Sequence, residues 1–69
     1  MIDFELAEHD YIELHSLLKV TGLCASGGMA KLLIAAGKVR VDGEVETRKR
    51  RKIRAGQVVA YDDQRIAVR

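Results

Sequence analysis

Residues 26–54 read SGGMAKLLIAAGKVRVDGEVETRKRRKIR, a helix pattern followed by a glycine, a hairpin pattern and a basic run. Ser26 is a residue type that caps helix N-termini, and apolar residues then recur at helical spacing. Gly37 suits the left-handed backbone that ends many helices. Met29 and Leu32 extend the apolar positions around this predicted helix. We therefore expect it to be buried on two sides.

The dipeptide Asp42-Gly43 is typical of a tight β-hairpin. A two-residue loop would set each valine of the hairpin beside a charged residue on the same face. A three-residue loop sets valine against valine and Arg40 beside Glu46, which gives one apolar and one polar face. We therefore predict the three-residue loop and a cross-strand pair between Arg40 and Glu46.

Segments before residue 26 predict a strand and a further helix. Phe4 and Leu6 alternate with acidic residues, which indicates a short half-buried strand. Residues 11–20 predict the first helix, with Asp10 as its N-cap, because leucines recur there at three- and four-residue spacing.

Segments after the hairpin predict a closing pair of strands. Ile53 interrupts the basic run and is expected to anchor it to the core. Residues 58–61 and 65–68 then pair around a turn at 62–64. The predicted order is one strand, two helices and four strands.

Length and composition restrict the class of protein. The chain has 69 residues, 48% hydrophobic and 32% charged, which fits one small globular domain spanning residues 1–69. No apolar run approaches the roughly 20 residues that cross a bilayer, and the first ten residues are acidic where a secretory signal is basic. Cys24 is the only cysteine, which excludes an internal disulfide. We expect a cytoplasmic protein without a membrane partner.

The net charge is only +2, but the charged residues are distributed unevenly along the chain. Residues 1–18 contain five acidic residues and no Lys or Arg, whereas residues 38–54 contain eight Lys or Arg and three acidic residues. Such a focused positive surface attracts polyanions, of which nucleic acid is the commonest in a cell. The alternative is an ordinary solvated surface.

Aromatic residues are scarce, with one Phe and two Tyr. None lies in the basic run, and Phe4, Tyr11 and Tyr61 are predicted to be packing residues rather than platforms for base stacking. Recognition of a nucleic-acid backbone and its shape is therefore favoured over base reading.

The start of the second predicted helix is another candidate anion site. Ser26, Gly27 and Gly28 would present free backbone N–H groups at the positive end of the helix dipole, and Lys31 follows within one turn. The alternative is ordinary capping combined with tight packing against the first helix.

Catalytic and metal sites find no support in the sequence. His9, His15 and Cys24 lack metal-ligand spacing, and no nucleophile has a recognisable base nearby. Cys24 reads as a small buried hydrophobic residue. We expect no enzyme activity, no metal and no cofactor.

An ordered set of apolar, serine, aspartate and glycine positions runs through most of the chain: Leu14, Leu17, Leu18, Gly22, Leu23, Ser26, Ala30, Leu33, Ile34, Gly37, Val39, Val41, Asp42, Gly43, Gly56 and Val59. In this order and spacing the set resembles the S4 (S-four) RNA-binding domain, also called the alpha-L motif, with a motif core of about residues 11–61. The runs 27–31 and 42–48 look most like those of its small stand-alone bacterial members.

The resemblance implies an α+β fold in which two antiparallel helices pack on a small, mostly antiparallel sheet, with the helix pair and hairpin facing structured RNA. Two departures stand out. Many family members have a basic residue where this chain has Gly27, and an Arg-Leu-Asp start to the first helix where it has residues 12–14. The first helix should therefore contribute little positive charge.

The leading hypothesis is a monomeric, non-catalytic RNA-binding protein for ribosomal RNA, transfer RNA or a ribosome assembly intermediate. A protein-interaction adaptor and a double-stranded DNA binder are the alternatives. The residues expected to contact RNA are Ser26, Gly27, Gly28, Lys31, Lys38, Arg40, Arg48, Lys49, Arg50, Arg51, Lys52 and Arg54.

Overall fold

Alternating apolar residues and two leucine-rich segments give an α+β architecture in the computed structural model, which describes residues 1–69. Its elements follow the chain in the order β1 (Ile2–Phe4), β2 (Ile12–Glu13), α1 (Leu14–Val20), α2 (Gly27–Ala35), β3 (Val39–Val41), β4 (Glu44–Val45), β5 (Lys52–Ile53), β6 (Val58–Tyr61) and β7 (Gln64–Val68).

Five strands form the main sheet, in the order β1-β7-β6-β3-β4. Every neighbouring pair is antiparallel except β1 and β7, which run parallel. Strands β2 and β5 form a separate two-stranded ribbon. The predicted fold class, helices with a small, mostly antiparallel sheet, is confirmed.

The core lies between the helix pair and one face of the main sheet. The leucines at 14, 17 and 18 of α1 and Ile34 of α2 are fully buried, because their spacing places them on the inward faces of the two helices. Strands contribute Val39, Val59 and Ile66. Ile53 is also fully buried, which confirms that it anchors the basic run to the core.

Helix α1 starts later than the sequence indicates. Residues 12–13 belong to β2, so a helix over 11–20 capped by Asp10 is wrong. The N–H of Leu14 donates instead to the carbonyl oxygen of Arg51 at 2.9 Å. The N–H of His15 donates to the carbonyl oxygen of Lys49 at 3.1 Å. Carbonyls of the basic run thus bind the free N–H groups that a side-chain cap would otherwise bind.

Helix α2 keeps its predicted ends but not its predicted burial. Ser26 Oγ accepts from the N–H of Met29 at 3.2 Å, and Gly37 has φ +76°. Met29 and Leu32, however, are 50% and 74% exposed, so burial on two sides is wrong. Ala30 and Ile34 pack into the core from one side of α2, and the side that carries Met29 and Leu32 faces solvent.

The β3–β4 hairpin has a two-residue loop. Arg40 lies opposite Val45, so the predicted three-residue loop and the Arg40–Glu46 pair are both wrong. Asp42 and Gly43 have φ +51° and +86°, as the mirror-image turn of tight hairpins requires.

A contact outside the hairpin explains this register. Asp42 Oδ1 accepts from the N–H of Val58 at 2.9 Å, and its Oδ2 accepts from Gln57 Nε2 at 3.2 Å. These bonds hold the turn against the start of β6. In the resulting register Val45 remains half-exposed.

Two further differences concern strands. The closing hairpin is confirmed, but its loop is Asp62–Asp63, because Tyr61 lies opposite Gln64. The predicted order of one strand, two helices and four strands misses β2 and β5. Each is two residues long, too short to show an alternating pattern.

Candidate nucleic-acid interface

The cations of the basic run border an open groove beside α2. Lys31 and Ala35 of α2 and residues 47–52 line this groove, whose volume is about 720 Å³. We call it the basic groove. It brings Lys31 together with the predicted site residues Arg48, Lys49, Arg50, Arg51 and Lys52.

Backbone contacts fix the loop that carries these cations. The N–H of Arg51 donates to the carbonyl oxygen of Arg48 at 3.1 Å, which forms a turn, and the carbonyls of Arg51 and Lys49 receive the first N–H groups of α1. Ile53 follows as a buried anchor, opposite Ile12 in the β2–β5 ribbon. The loop is therefore held at the start of α1 and in the core.

The buried carboxylate of Glu46 binds two arginine side chains of the same loop. It is 6% exposed, and its Oε2 accepts from the backbone N–H and the Nε of Arg48 at 2.9 and 3.0 Å. Its Oε1 accepts from Arg48 Nη2 at 3.0 Å and from Arg51 Nη1 at 2.6 Å. We call this group the Glu46 clasp. The predicted hairpin register pairs Glu46 with Arg40, so this role was missed.

These bonds keep Glu46 ionised. Hydrogen bonds from Arg48, and after them the weaker contribution of Arg51, outweigh burial and lower the pKa of Glu46 from 4.5 to about 2. The Arg48 side chain remains 73% exposed although it is paired. Its guanidinium is therefore held in position and still reachable by a ligand.

Other predicted site residues lie outside the basic groove. Lys38, Arg40 and Arg54 are exposed but do not line it. Arg40 Nη1 donates to the carbonyl oxygen of Gly43 at 3.2 Å, within its own hairpin.

The start of α2 also lies outside the groove lining. A Cβ at Gly27 would meet no atom within 4 Å, and one at Gly28 would meet only Ser26 Oγ at 3.8 Å. Tight packing against α1 therefore does not explain the two glycines. The capping role of Ser26 is confirmed.

Tyr11 was predicted to be a packing residue, but its ring is exposed. Phe4 and Tyr61 pack against the core as expected, but Tyr11 is 40% exposed. Lys52 Nζ lies 5.0 Å and Arg54 Cζ 5.7 Å from the centre of its ring, within the range of cation–π attraction. Only the β2–β5 pairing brings these residues together, so the sequence offered no local signal.

Remaining candidates for chemistry do not form a site. No three His, Cys, Asp or Glu side chains converge to hold a metal ion. Cys24 is buried as predicted, and burial raises the pKa of its thiol. Neither helix has the length and apolar character to span a bilayer.

Comparison with known proteins identifies the class. Residues 4–69 match the family model of the S4 domain, and the chain belongs to this family. The sequence is 50% identical over 68 residues to YbcJ of Escherichia coli (strain K12), a match that covers 99% of this chain and 97% of the relative. YbcJ of Shigella flexneri matches to the same extent.

A solved structure supports the same assignment. The solution structure of Escherichia coli YbcJ is similar to this fold with a TM-score of 0.76, over 99% of this chain and 86% of that one. It is described as revealing an alpha-L motif involved in RNA binding. The family resemblance seen in the sequence is thereby confirmed.

Proposed function

We propose that this protein is a non-catalytic, monomeric RNA-binding protein of the cytoplasm that recognises structured RNA: ribosomal RNA, transfer RNA or a ribosome assembly intermediate. The basic groove carries the proposal, because Lys31 from α2 and the five consecutive cations of residues 48–52 border one open surface. The RNA-binding motif described for the YbcJ structure supports it.

The groove is suited to phosphates rather than to a small substrate. Seven of its eight lining residues are polar or charged, and its cations come from both the helix and the loop. Guanidinium and ammonium groups at this density bind successive phosphates and release condensed counterions. The Glu46 clasp holds Arg48 and Arg51 in place before RNA arrives, which lowers the entropy lost on binding.

Binding to RNA and to DNA of the same sequence tests this function. We expect the protein to bind a structured RNA hairpin roughly tenfold more tightly than its DNA counterpart, since A-form RNA exposes 2′-hydroxyls in a wide minor groove. Fluorescence anisotropy with the purified protein measures both affinities. Equal affinities would reduce the groove to a general polyanion surface, and absence of RNA binding at low salt would overturn the proposal.

Gly27 offers a gain-of-affinity test. Gly27→Lys introduces a cation at the position where many family members have one, into space that holds no protein atom within 4 Å. We expect RNA affinity to rise about three- to tenfold and the salt dependence to steepen by about one charge.

Gly27→Gln is the matched control for that variant. It adds a side chain of similar length without charge and should leave the affinity within about twofold of wild type. Equal gains for Lys and Gln would show that helix stabilisation, and not a phosphate contact, causes the change.

A further inference from the structure

Tyr11 lines a second groove of different character and is linked to the basic groove through Lys52. Lys52 lines the basic groove and also lies over the Tyr11 ring, so the two features share a residue. The pairing of Ile12 with Ile53 explains the arrangement. Residues next to these two isoleucines point to the opposite face of the ribbon, which places Tyr11 beside Arg54 and near Lys52.

The second groove is mostly apolar, and its volume is about 340 Å³. Five of its seven lining residues are hydrophobic (Phe4, Leu6, Ala7, Tyr11 and Ile12), and Glu5 and His9 complete it. Ala7 has φ +57°, a left-handed conformation that costs a non-glycine residue about 1 kcal/mol. The chain therefore holds an unfavourable backbone conformation at the wall of this apolar groove. Ala7 lies in the turn that the N–H of His9 closes by donating to the carbonyl oxygen of Leu6 at 3.1 Å, and this turn shapes the groove wall.

We infer that an unpaired nucleobase of a bound RNA stacks on Tyr11 at the apolar groove, while phosphates of the adjoining nucleotides contact Lys52 and Arg54. This inference rests on the proposed function. Tyr11 is an exposed ring with two cations over it, and one of them, Lys52, also borders the basic groove. This arrangement matches the chemistry of a nucleotide: a flat apolar base attached to an anion.

Two substitutions at Tyr11 test the inference. Tyr11→Leu keeps an apolar side chain but removes the ring, whereas Tyr11→Phe keeps the ring. For an RNA hairpin with an unpaired overhang, we expect Leu to weaken binding about 5- to 150-fold, the range found when base stacking is lost, and Phe to leave it unchanged. A fully paired RNA duplex should bind all three proteins equally.

Salt dependence separates stacking from a structural role. Tyr11 carries no charge, so the slope of log affinity against log salt should be the same for Tyr11→Leu and wild type. A shallower slope, or weaker binding of the paired duplex as well, would show that Leu only displaces Lys52 and Arg54 and would overturn the inference.

A fluorescent base gives a direct readout. 2-Aminopurine placed at the unpaired position should be quenched on binding wild type or Tyr11→Phe and remain bright with Tyr11→Leu. If wild type and Tyr11→Leu bind the overhang RNA equally, the base contact is refuted while the proposed function stands. If wild type binds no RNA, the proposed function itself fails.

Discussion

Between about 50 and 200 mM salt, the affinity of this protein for a structured RNA is expected to fall by two to three orders of magnitude. The estimate assumes about six phosphate contacts, the number that Lys31 and the five cations of residues 48–52 provide if each binds one phosphate. Salt-insensitive binding would contradict it.

Charge reversal in the loop should reduce both affinity and its salt dependence. The double variant Lys49→Glu/Arg50→Glu removes two exposed cations that make no ion pair within the protein. We expect a loss of about 100-fold, since each charge-assisted contact contributes about 1.5 kcal/mol, and a salt slope lower by about two. Anisotropy titrations at four salt concentrations measure both quantities.

Arg65 supplies the control for this experiment. It is an exposed arginine on β7, outside the basic groove. Arg65→Glu and Arg50→Glu change the net charge equally, so a specific groove requires a larger loss from Arg50→Glu. Equal losses would indicate that only total charge matters. Because phosphates carry no sequence information, the loss at Arg50 should be similar for every structured RNA tested.

Replacing Glu46 should destabilise the folded protein. Glu46→Gln removes the charge that pairs with Arg48 and Arg51. Because the Arg48 side chain is 73% exposed, solvent screens the pair, and we expect the free energy of unfolding at pH 7 to fall by about 1–2 kcal/mol. For a domain of this size that corresponds to a fall in Tm of about 5–15 °C. Glu44→Gln, at an exposed position nearby in β4 without an ion pair, is the matched control and should change Tm little.

The Glu46 clasp also predicts how the free energy of unfolding depends on pH. The pKa of Glu46 is about 2 in the folded protein, below its ordinary value of 4.5, so the unfolded chain takes up the proton first as pH falls. The stability contributed by Glu46 is complete above about pH 4.5 and is lost as pH falls towards 2. Urea unfolding should show wild type and Glu46→Gln converging over this range. A constant difference would contradict the clasp.

The sequence predicted correctly those features that depend on contacts between residues close together in the chain. Ser26 and Gly37 bound α2 because the cap and the left-handed residue act within a few positions, and Ile53 anchors its loop as its isolation among cations suggested. The hairpin register was wrong because Asp42 bonds to Val58, sixteen residues away along the chain. Val58 lies outside the hairpin, so the residues of the hairpin alone do not reveal that contact.

The candidate site was predicted less completely than the fold. Charge clustering indicated residues 48–52 as a candidate interface, but their proximity to Lys31 depends on how α2 packs beside the loop. The partners of Glu46 depend on the loop turning back across β4, and the position of Tyr11 depends on a ribbon of two-residue strands. These are long-range arrangements, which hydrophobic and charge patterns do not specify.

The parallel pairing of β1 with β7 has a consequence for how the chain acquires its structure. Ile2 lies opposite Ile66, and the N–H of Arg69 donates to the carbonyl oxygen of Phe4. Ile2 and Ile66 lie roughly 60 residues apart along the chain, so this pairing closes a much longer loop than either hairpin does. We therefore expect β1 to join the sheet after the hairpins have formed, because the entropy of closing that loop is lost before the contacts of β1 are gained.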